Sequence, residues 1–228
     1  VAESEIFVRL LCVDQQLVEF LECWLMSGTI EIVDEGIYTI SGVMTAEECQ
    51  ELIARAEAIG FSAASVKTSS GQRMMTNIRN NDRVNLYDVE LATTMWQRVS
   101  RLLPVLDSCR PVSVDPNLRF YRYDPGQQFK RHKDGSVTND LGEVSKLSYL
   151  IYLNDDYAGG STTFLDFPDV DGVSEKREFV ISQTTGSALL FLHERWHEGT
   201  SVSSGRKYVL RSDVFYSHPI TGQGNEDS

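Results

Sequence analysis

The chain has 228 residues, of which 41% are hydrophobic, enough for one domain with a sizeable core. Its formal net charge of −12 argues against a general nucleic-acid binder and against docking on anionic membranes. It carries no run of about 18 apolar residues, no N-x-S/T sequon and no terminal retrieval signal, so the expectation is a cytoplasmic protein with no membrane partner.

In chain order, Ile6–Met26 places apolar residues at mixed helical spacing and predicts an N-terminal helical extension over residues 1–35. Thr45–Ile59 predicts a helix, with Thr45 as N-cap, Glu48 completing a capping box and Gly60 just past the end. Ser65–Arg83 is polar and Ser/Asn-rich, a candidate mobile loop over a site. Asp88–Leu103 predicts a second helix, stopped by Pro104. Asn117–Tyr123 alternates and runs into the turn signal Asp124-Pro125-Gly126, which predicts a strand. Further strands are expected at Lys146–Leu153, Ala188–Leu192 and Lys207–Tyr216, with polar loops at Lys133–Lys146 and Asp166–Arg177. Residues 217–228 read as a flexible C-terminal tail. Cys12, Cys23, Cys49 and Cys109 show no C-x-x-C or paired pattern and read as reduced core thiols. The pattern predicts a mainly β fold with flanking helices, a double-stranded β-helix of the jelly-roll, cupin-like type.

His197 belongs to two metal-binding strings. It closes His193-Glu194-Arg195-Trp196-His197, the H-E-x-x-H of zinc peptidases, and it also follows His132-Lys133-Asp134 as the distal member of a 2-His-1-carboxylate iron set. The first string requires a helix to bring residues i and i+4 onto one face. Here an apolar run, Gly186–Leu192, leads in and a Ser/Gly-rich stretch leads out to the next strand, which leaves no room for one. A downstream third zinc ligand is also missing, since Ser203 stands where the extended motif needs histidine. The zinc-peptidase reading is therefore a distant alternative. An H-x-D pair suits a strand or the loop leaving it, because residues i and i+2 share a side, and an antiparallel barrel can deliver a distal histidine to them.

These residues carry a family resemblance. Leu118–Asp134 (L-R-F-Y-R-Y-D-P-G-Q-Q-F-K-R-H-K-D) resembles the first metal block of prolyl 4-hydroxylase-type 2-oxoglutarate/Fe(II) dioxygenases. Leu147–Phe164 is similar to that family's Y-L-N-D-x-x-x-G-G-x-T-x-F block, and His197 with Gly205-Arg206-Lys207-Tyr208 resembles its distal block. Gly36–Phe61 is similar to the opening strand and helix, and Thr76–Arg83 resembles the I-R-x-D segment of hypoxia-sensing prolyl hydroxylases, with one additional residue before the aspartate. The resemblance implies a catalytic domain over residues 36–216. It implies iron ligation by His132, Asp134 and His197, and a cosubstrate site with Lys207 as the carboxylate anchor and Tyr123, Tyr152 and Thr162 lining it. Arg206 competes with Lys207 for the anchoring role, since some members of the family it resembles place their basic residue one position earlier; the two point to opposite faces of a strand, so only one can enter the barrel. Arg79, Arg119 and Arg211 are candidate substrate contacts. Arg211 has a second reading as half of a salt bridge with Asp213.

The implied cofactors are Fe(II), 2-oxoglutarate and O2, with ascorbate as a candidate addition. The implied reaction yields succinate and CO2 and hydroxylates an unactivated C–H bond. A carboxylate at position 134, where related halogenases have a small residue, points to hydroxylation. The expected target is a prolyl residue in a protein or peptide; a free amino acid or small metabolite is the alternative, because one fold hosts many substrates. Against the nucleic-acid-repair branch that shares the triad stand the acidic charge and the Arg206–Arg211 spacing of five, where that branch spaces its pair by six.

Overall fold

Side chains pointing alternately to either side of the central strands create the two faces on which this fold is built. In the computed structural model, which describes residues 28–64, 66–68, 71–73, 78–166, 169–170, 173–174, 176–181 and 184–219, the chain forms two facing antiparallel sheets with two helices against the outside of the larger one. The helices expected over Ile6–Met26, together with Cys12 and Cys23, lie outside the described residues, as does most of the expected tail.

The elements that position the site are β1 (Ile30–Asp34), β2 (Ile37–Ile40), α1 (Ala46–Ile59), β3 (Ser62–Ala63), β4 (Asp82–Tyr87), α2 (Val89–Val99), β5 (Pro111–Val114), β6 (Asn117–Tyr123), β7 (Phe129–His132), β8 (Val144–Tyr152), β9 (Thr162–Asp166), β10 (Arg177–Ile181), β11 (Ala188–Leu192), β12 (His197–Gly199) and β13 (Lys207–Tyr216). The larger sheet runs β1-β2-β11-β8-β13-β6-β4-β3, with β5 also pairing β13, and the smaller runs β10-β9-β12-β7. This is a double-stranded β-helix. Its longest strand, β13, lies between β6, where Lys207 faces Tyr123, and β8, where Arg211 faces Leu150.

The outer face of the large sheet contributes Leu118, Phe120, Tyr149, Ile151, Leu190 and Leu210 to a core shared with Cys49, Leu52, Met95 and Val99 of the helices. The inner face turns Tyr121, Tyr123, Tyr152, Leu189, Phe191 and Val209 toward Phe164 of the small sheet. Polar residues on that inner face therefore end up buried between the sheets, where each must find a partner.

Helix α1 starts as expected: Thr45 Oγ1 accepts from Glu48 N at 3.1 Å, and Glu48 Oε2 accepts from Thr45 N at 2.8 Å. Cys49 and Cys109 are buried free thiols. Three expectations need correction. Helix α2 ends at Val99 rather than Leu103, because the chain tightens into an i→i+3 turn (Leu102 N to Val99 O, 2.9 Å) before Pro104. The polar stretch Ser65–Arg83 holds a hairpin, Val66–Thr68 with Gly71–Arg73, and the start of β4, while Asp166–Arg177 holds the ladder Asp169–Val170 with Val173–Ser174. Sheet structure begins at Ile30, inside the span expected to be helical, because Ile30–Asp34 folds back on β2. Among the described residues no helix is long and apolar enough to cross a membrane.

Candidate active site

Strand β7 ends on His132 and β12 begins on His197, and the two are direct cross-strand partners. Their ring centroids are 4.2 Å apart. Asp134 follows two residues after His132, and its carboxylate oxygens lie 3.6 Å from His132 Nε2 and 3.6 Å from His197 Nε2. One ligand atom from each of the three falls within 4.8 Å of the others, a spacing that a single ion can bridge.

The remaining imidazole nitrogens select the tautomer. His132 Nδ1 is 2.8 Å from Lys130 O, and His197 Nδ1 is 3.0 Å from Arg195 O. A carbonyl oxygen can only accept, so both rings carry the proton on Nδ1 and present an Nε2 lone pair to the site. Burial pushes His197 down to about 4, which keeps its ring neutral and ligand-ready at ordinary pH. Burial alone would raise the Asp134 carboxyl. The Arg211 guanidinium prevails and holds it well below the usual carboxylate range.

Asp134 is further fixed by a directed chain. Ser148 Oγ donates to Asp134 Oδ2 at 2.6 Å, so it must accept from His193 Nδ1, 3.0 Å away. His193 Nε2 then accepts from Ser145 Oγ at 2.9 Å. Arg211 Nη2 closes the arrangement, 3.1 Å from Asp134 Oδ2 and 3.2 Å from Asp213 Oδ1. Both His193 nitrogens are thus committed to serines, and Glu194 is exposed on the turn after β11. The H-E-x-x-H string occupies no helix and does not assemble a zinc site.

Behind the triad a narrow chamber runs between the sheets, lined by Tyr123, Leu150, Thr162, Phe191, Val209 and Lys207 among others. Lys207 is 3% exposed. Its Nζ donates to Gly160 O at 2.6 Å and lies over the rings of Tyr123 and Tyr152, 5.6 and 5.2 Å from their centroids. Among the described residues no carboxylate pairs with it, and desolvation pulls its ammonium down to about 7. Arg206, by contrast, points outward to Asp124 (2.6 Å). Tyr152 stands behind the chamber wall and donates its hydroxyl to Thr162 Oγ1 at 2.8 Å. A metal triad at one end and a buried cation without an anion at the other fit a chelating dicarboxylate.

Residues 118–212 match the family model of the 2OG-Fe(II) oxygenase superfamily, a span that contains the triad, Lys207 and Arg211. The chain is similar to that superfamily over the segment that carries its metal triad. It is a 2-oxoglutarate-dependent dioxygenase, and its cofactor set is Fe(II), 2-oxoglutarate and O2. No curated protein matches the chain in sequence. Solved structures agree on the fold of the oxygenase. A prolyl hydroxylase from Trichoplax adhaerens, in complex with a hypoxia inducible factor peptide fragment, aligns with TM-score 0.61 at 17% identity, covering 79% of this chain and 83% of that one. A Pseudomonas putida prolyl-4-hydroxylase gives TM-score 0.54 at 19% identity, covering 79% and 92%. The α-ketoglutarate-dependent epimerase SnoN of nogalamycin biosynthesis gives TM-score 0.54 at 17% identity, covering 83% of each chain.

On the open side of the triad the oxygenase has a cleft of about 1010 Å³. All three arginines expected near a substrate line it, but they differ in what holds them. Arg119 pairs with Asp213 at 2.9 Å, and Arg211 is committed to Asp134 and Asp213. Both readings of Arg211 at the sequence level thus meet in part, since it pairs with Asp213 and also reaches the site. Arg79 has no carboxylate partner among the described residues. Sequence reasoning overlooked Ser145, Ser148 and Tyr121. Two serines in the otherwise apolar run of β8 were the available signal for the first pair. For Tyr121 the signal was its shared face with Tyr123. Burial would raise the Tyr121 phenol, but Arg79, Arg211 and Arg119 gathered around it bring it down to about 7.

Proposed function

We propose that this oxygenase hydroxylates prolyl residues in a protein or peptide, converting 2-oxoglutarate to succinate and CO2, with His132, Asp134 and His197 as the iron ligands and Lys207 as the cosubstrate anchor. The observation that carries the proposal is the pairing of the triad with Lys207. A fully buried ammonium lacking an anion is costly unless a ligand supplies one. A dicarboxylate that chelates a metal at the triad carries its second carboxylate toward that ammonium.

When bound, iron and 2-oxoglutarate supply oxidative decarboxylation coupled to oxidation of a C–H bond. The chain supplies the rest. His132 and His197 present Nε2 lone pairs because backbone carbonyls hold their Nδ1 protons. Ser148 and Arg211 restrict the rotation of Asp134 and keep it ionised. Thr162, Tyr123 and Lys207 receive the far end of the cosubstrate, and the apolar wall of Leu150, Phe191 and Val209 keeps water out of the chamber.

The prolyl target is supported by the resemblance of the Leu118–Asp134 and Leu147–Phe164 blocks to prolyl 4-hydroxylases, and by a cleft open enough for an extended peptide. A +16 Da product search by mass spectrometry across proline-containing peptides, with free amino acids as a second set, tests it. Hydroxylated proline in peptides is the expected result. Oxidation of free amino acids alone would transfer the assignment to a small-molecule hydroxylase.

A further inference from the structure

The cleft above the triad contradicts the charge of the chain as a whole. In a protein of net charge −12, its lining includes Arg79, Arg83, Arg119, Arg131, Lys133 and Arg211, against one acid, Asp134. Asp213 lies behind the wall and answers Arg119 and Arg211. No carboxylate among the described residues answers Arg79 or Arg83. A concave surface lined by one sign of charge concentrates ligands of the opposite sign.

Arg79 is the most specific feature of this lining. It is 5% exposed, and its Nε donates to Asn81 Oδ1 at 2.6 Å, while its Nη2 is buried with no hydrogen-bond acceptor. Its guanidinium lies between two rings, 4.2 Å from the Tyr121 centroid and 4.4 Å from that of Phe129. Phe129 in turn stacks on the metal-site residue His132, centroids 3.5 Å apart and planes within 18°. Backbone bonds fix this stack: Lys130 N donates to Ile78 O at 2.9 Å, Asn80 N to Gln128 O at 3.3 Å, and Gln128 N to Asn80 Oδ1 at 2.7 Å. The result is a rigid, planar guanidinium one aromatic ring away from a metal ligand, its Nε held by Asn81 and its charge facing the Tyr121 phenol, with no carboxylate partner among the described residues. A fixed guanidinium fork without a carboxylate partner suits charge-assisted recognition of one.

We infer that the substrate carries a carboxylate next to the carbon that is oxidised, and that Arg79 receives it. The inference rests on the oxygenase reading of the same site and narrows its substrate class. Two sources share this chemistry, an acidic side chain flanking a peptide proline and the free carboxylate of a small substrate.

Two matched probe pairs separate them: N-acetyl-Glu-Pro-Glu amide against N-acetyl-Gln-Pro-Gln amide, and N-acetylproline against N-acetylprolinamide. Binding is measured by isothermal titration to the full chain loaded with Fe(II) and saturating 2-oxoglutarate in the absence of oxygen. In at least one pair the acid should bind about tenfold or more tightly than its amide, the scale of a charge-assisted hydrogen bond. The pair that shows the preference identifies the source. Arg79→Gln should bring that ratio close to one. Arg79→Lys keeps the charge without the fork and covers the case in which Arg79→Gln does not fold; it should lower the ratio at least threefold, on the order of a lost hydrogen bond. Equal binding of acid and amide in both pairs, or a ratio unchanged in the variants, overturns the inference. Succinate release by the same loaded protein in air is read separately. Turnover without acid preference removes this inference alone, whereas absence of turnover removes the oxygenase reading beneath it.

Discussion

Adding 2-oxoglutarate to the metal-loaded protein should draw a proton out of solution, and Lys207 is the group that takes it up. Burial without a counter-anion lowers its ammonium from 10.5 to about 7. At pH 8 about one-tenth of the cosubstrate-free molecules are therefore charged, and at pH 6 about nine-tenths. A bound carboxylate favours the charged form and raises the value again. Binding should then take up about 0.9 proton per molecule at pH 8 and about 0.1 at pH 6. Above pH 7 the Kd for 2-oxoglutarate should weaken about tenfold per unit, equivalent to about 1.4 kcal/mol. Without cosubstrate, a depressed lysine value means that the unfolded chain holds more protons between about pH 7 and 10.5. The cosubstrate-free fold should accordingly gain stability as pH rises through that window and lose it as pH falls toward 7. Anaerobic calorimetry in buffers of different ionisation enthalpy reads the proton count directly. A Kd that is flat from pH 6 to 9 with no proton uptake would refute the reasoning. So would a dependence that survives Lys207→Met and vanishes in Arg206→Gln.

Three further outcomes follow from the geometry. Ser148→Ala removes the hydroxyl that orients Asp134 and should weaken Fe(II) binding about 10–100-fold in chelator competition, with unchanged affinity counting against the directed Ser145–His193–Ser148 chain. Glu194→Ala, on an exposed turn, should leave Fe(II)-dependent succinate formation within about twofold of the starting protein, as surface changes away from buried partners usually do. Thr45→Ala should cost about 1 kcal/mol in denaturant unfolding by removing the N-cap of α1, and a loss near zero would mean that the capping box contributes nothing.

What could be read from the sequence was local or periodic. The Thr45–Glu48 capping box needs only residues three apart. The alternation in Asn117–Tyr123 and the β-branched and aromatic residues of Lys207–Tyr216 identify strands that the structure contains at those bounds. Side-chain alternation along the second strand established that Lys207 and Arg206 face opposite ways, but not which side was the interior. That depended on pairing with Tyr123 across β6, a contact between residues 84 positions apart. His193 could be set aside as a zinc ligand from its surroundings. Its commitment to Ser145 and Ser148 needed the β8–β11 ladder, which brings Ser148 opposite Phe191. Arg79 lay in a polar stretch that reads as a loop. Its stacking between Tyr121 and Phe129 joins three separate segments and leaves no periodic trace. Helix α2 was overextended because Pro104 marks where a helix must have stopped, not where it first tightens.

The central claim is that His132, Asp134 and His197 hold iron for 2-oxoglutarate turnover, and succinate formation tests it most directly. Succinate should appear from 2-oxoglutarate only with Fe(II), and Asp134→Ala should abolish it while Glu194→Ala does not. Zinc-dependent peptide cleavage that survives Asp134→Ala and is lost in Glu194→Ala would contradict the account.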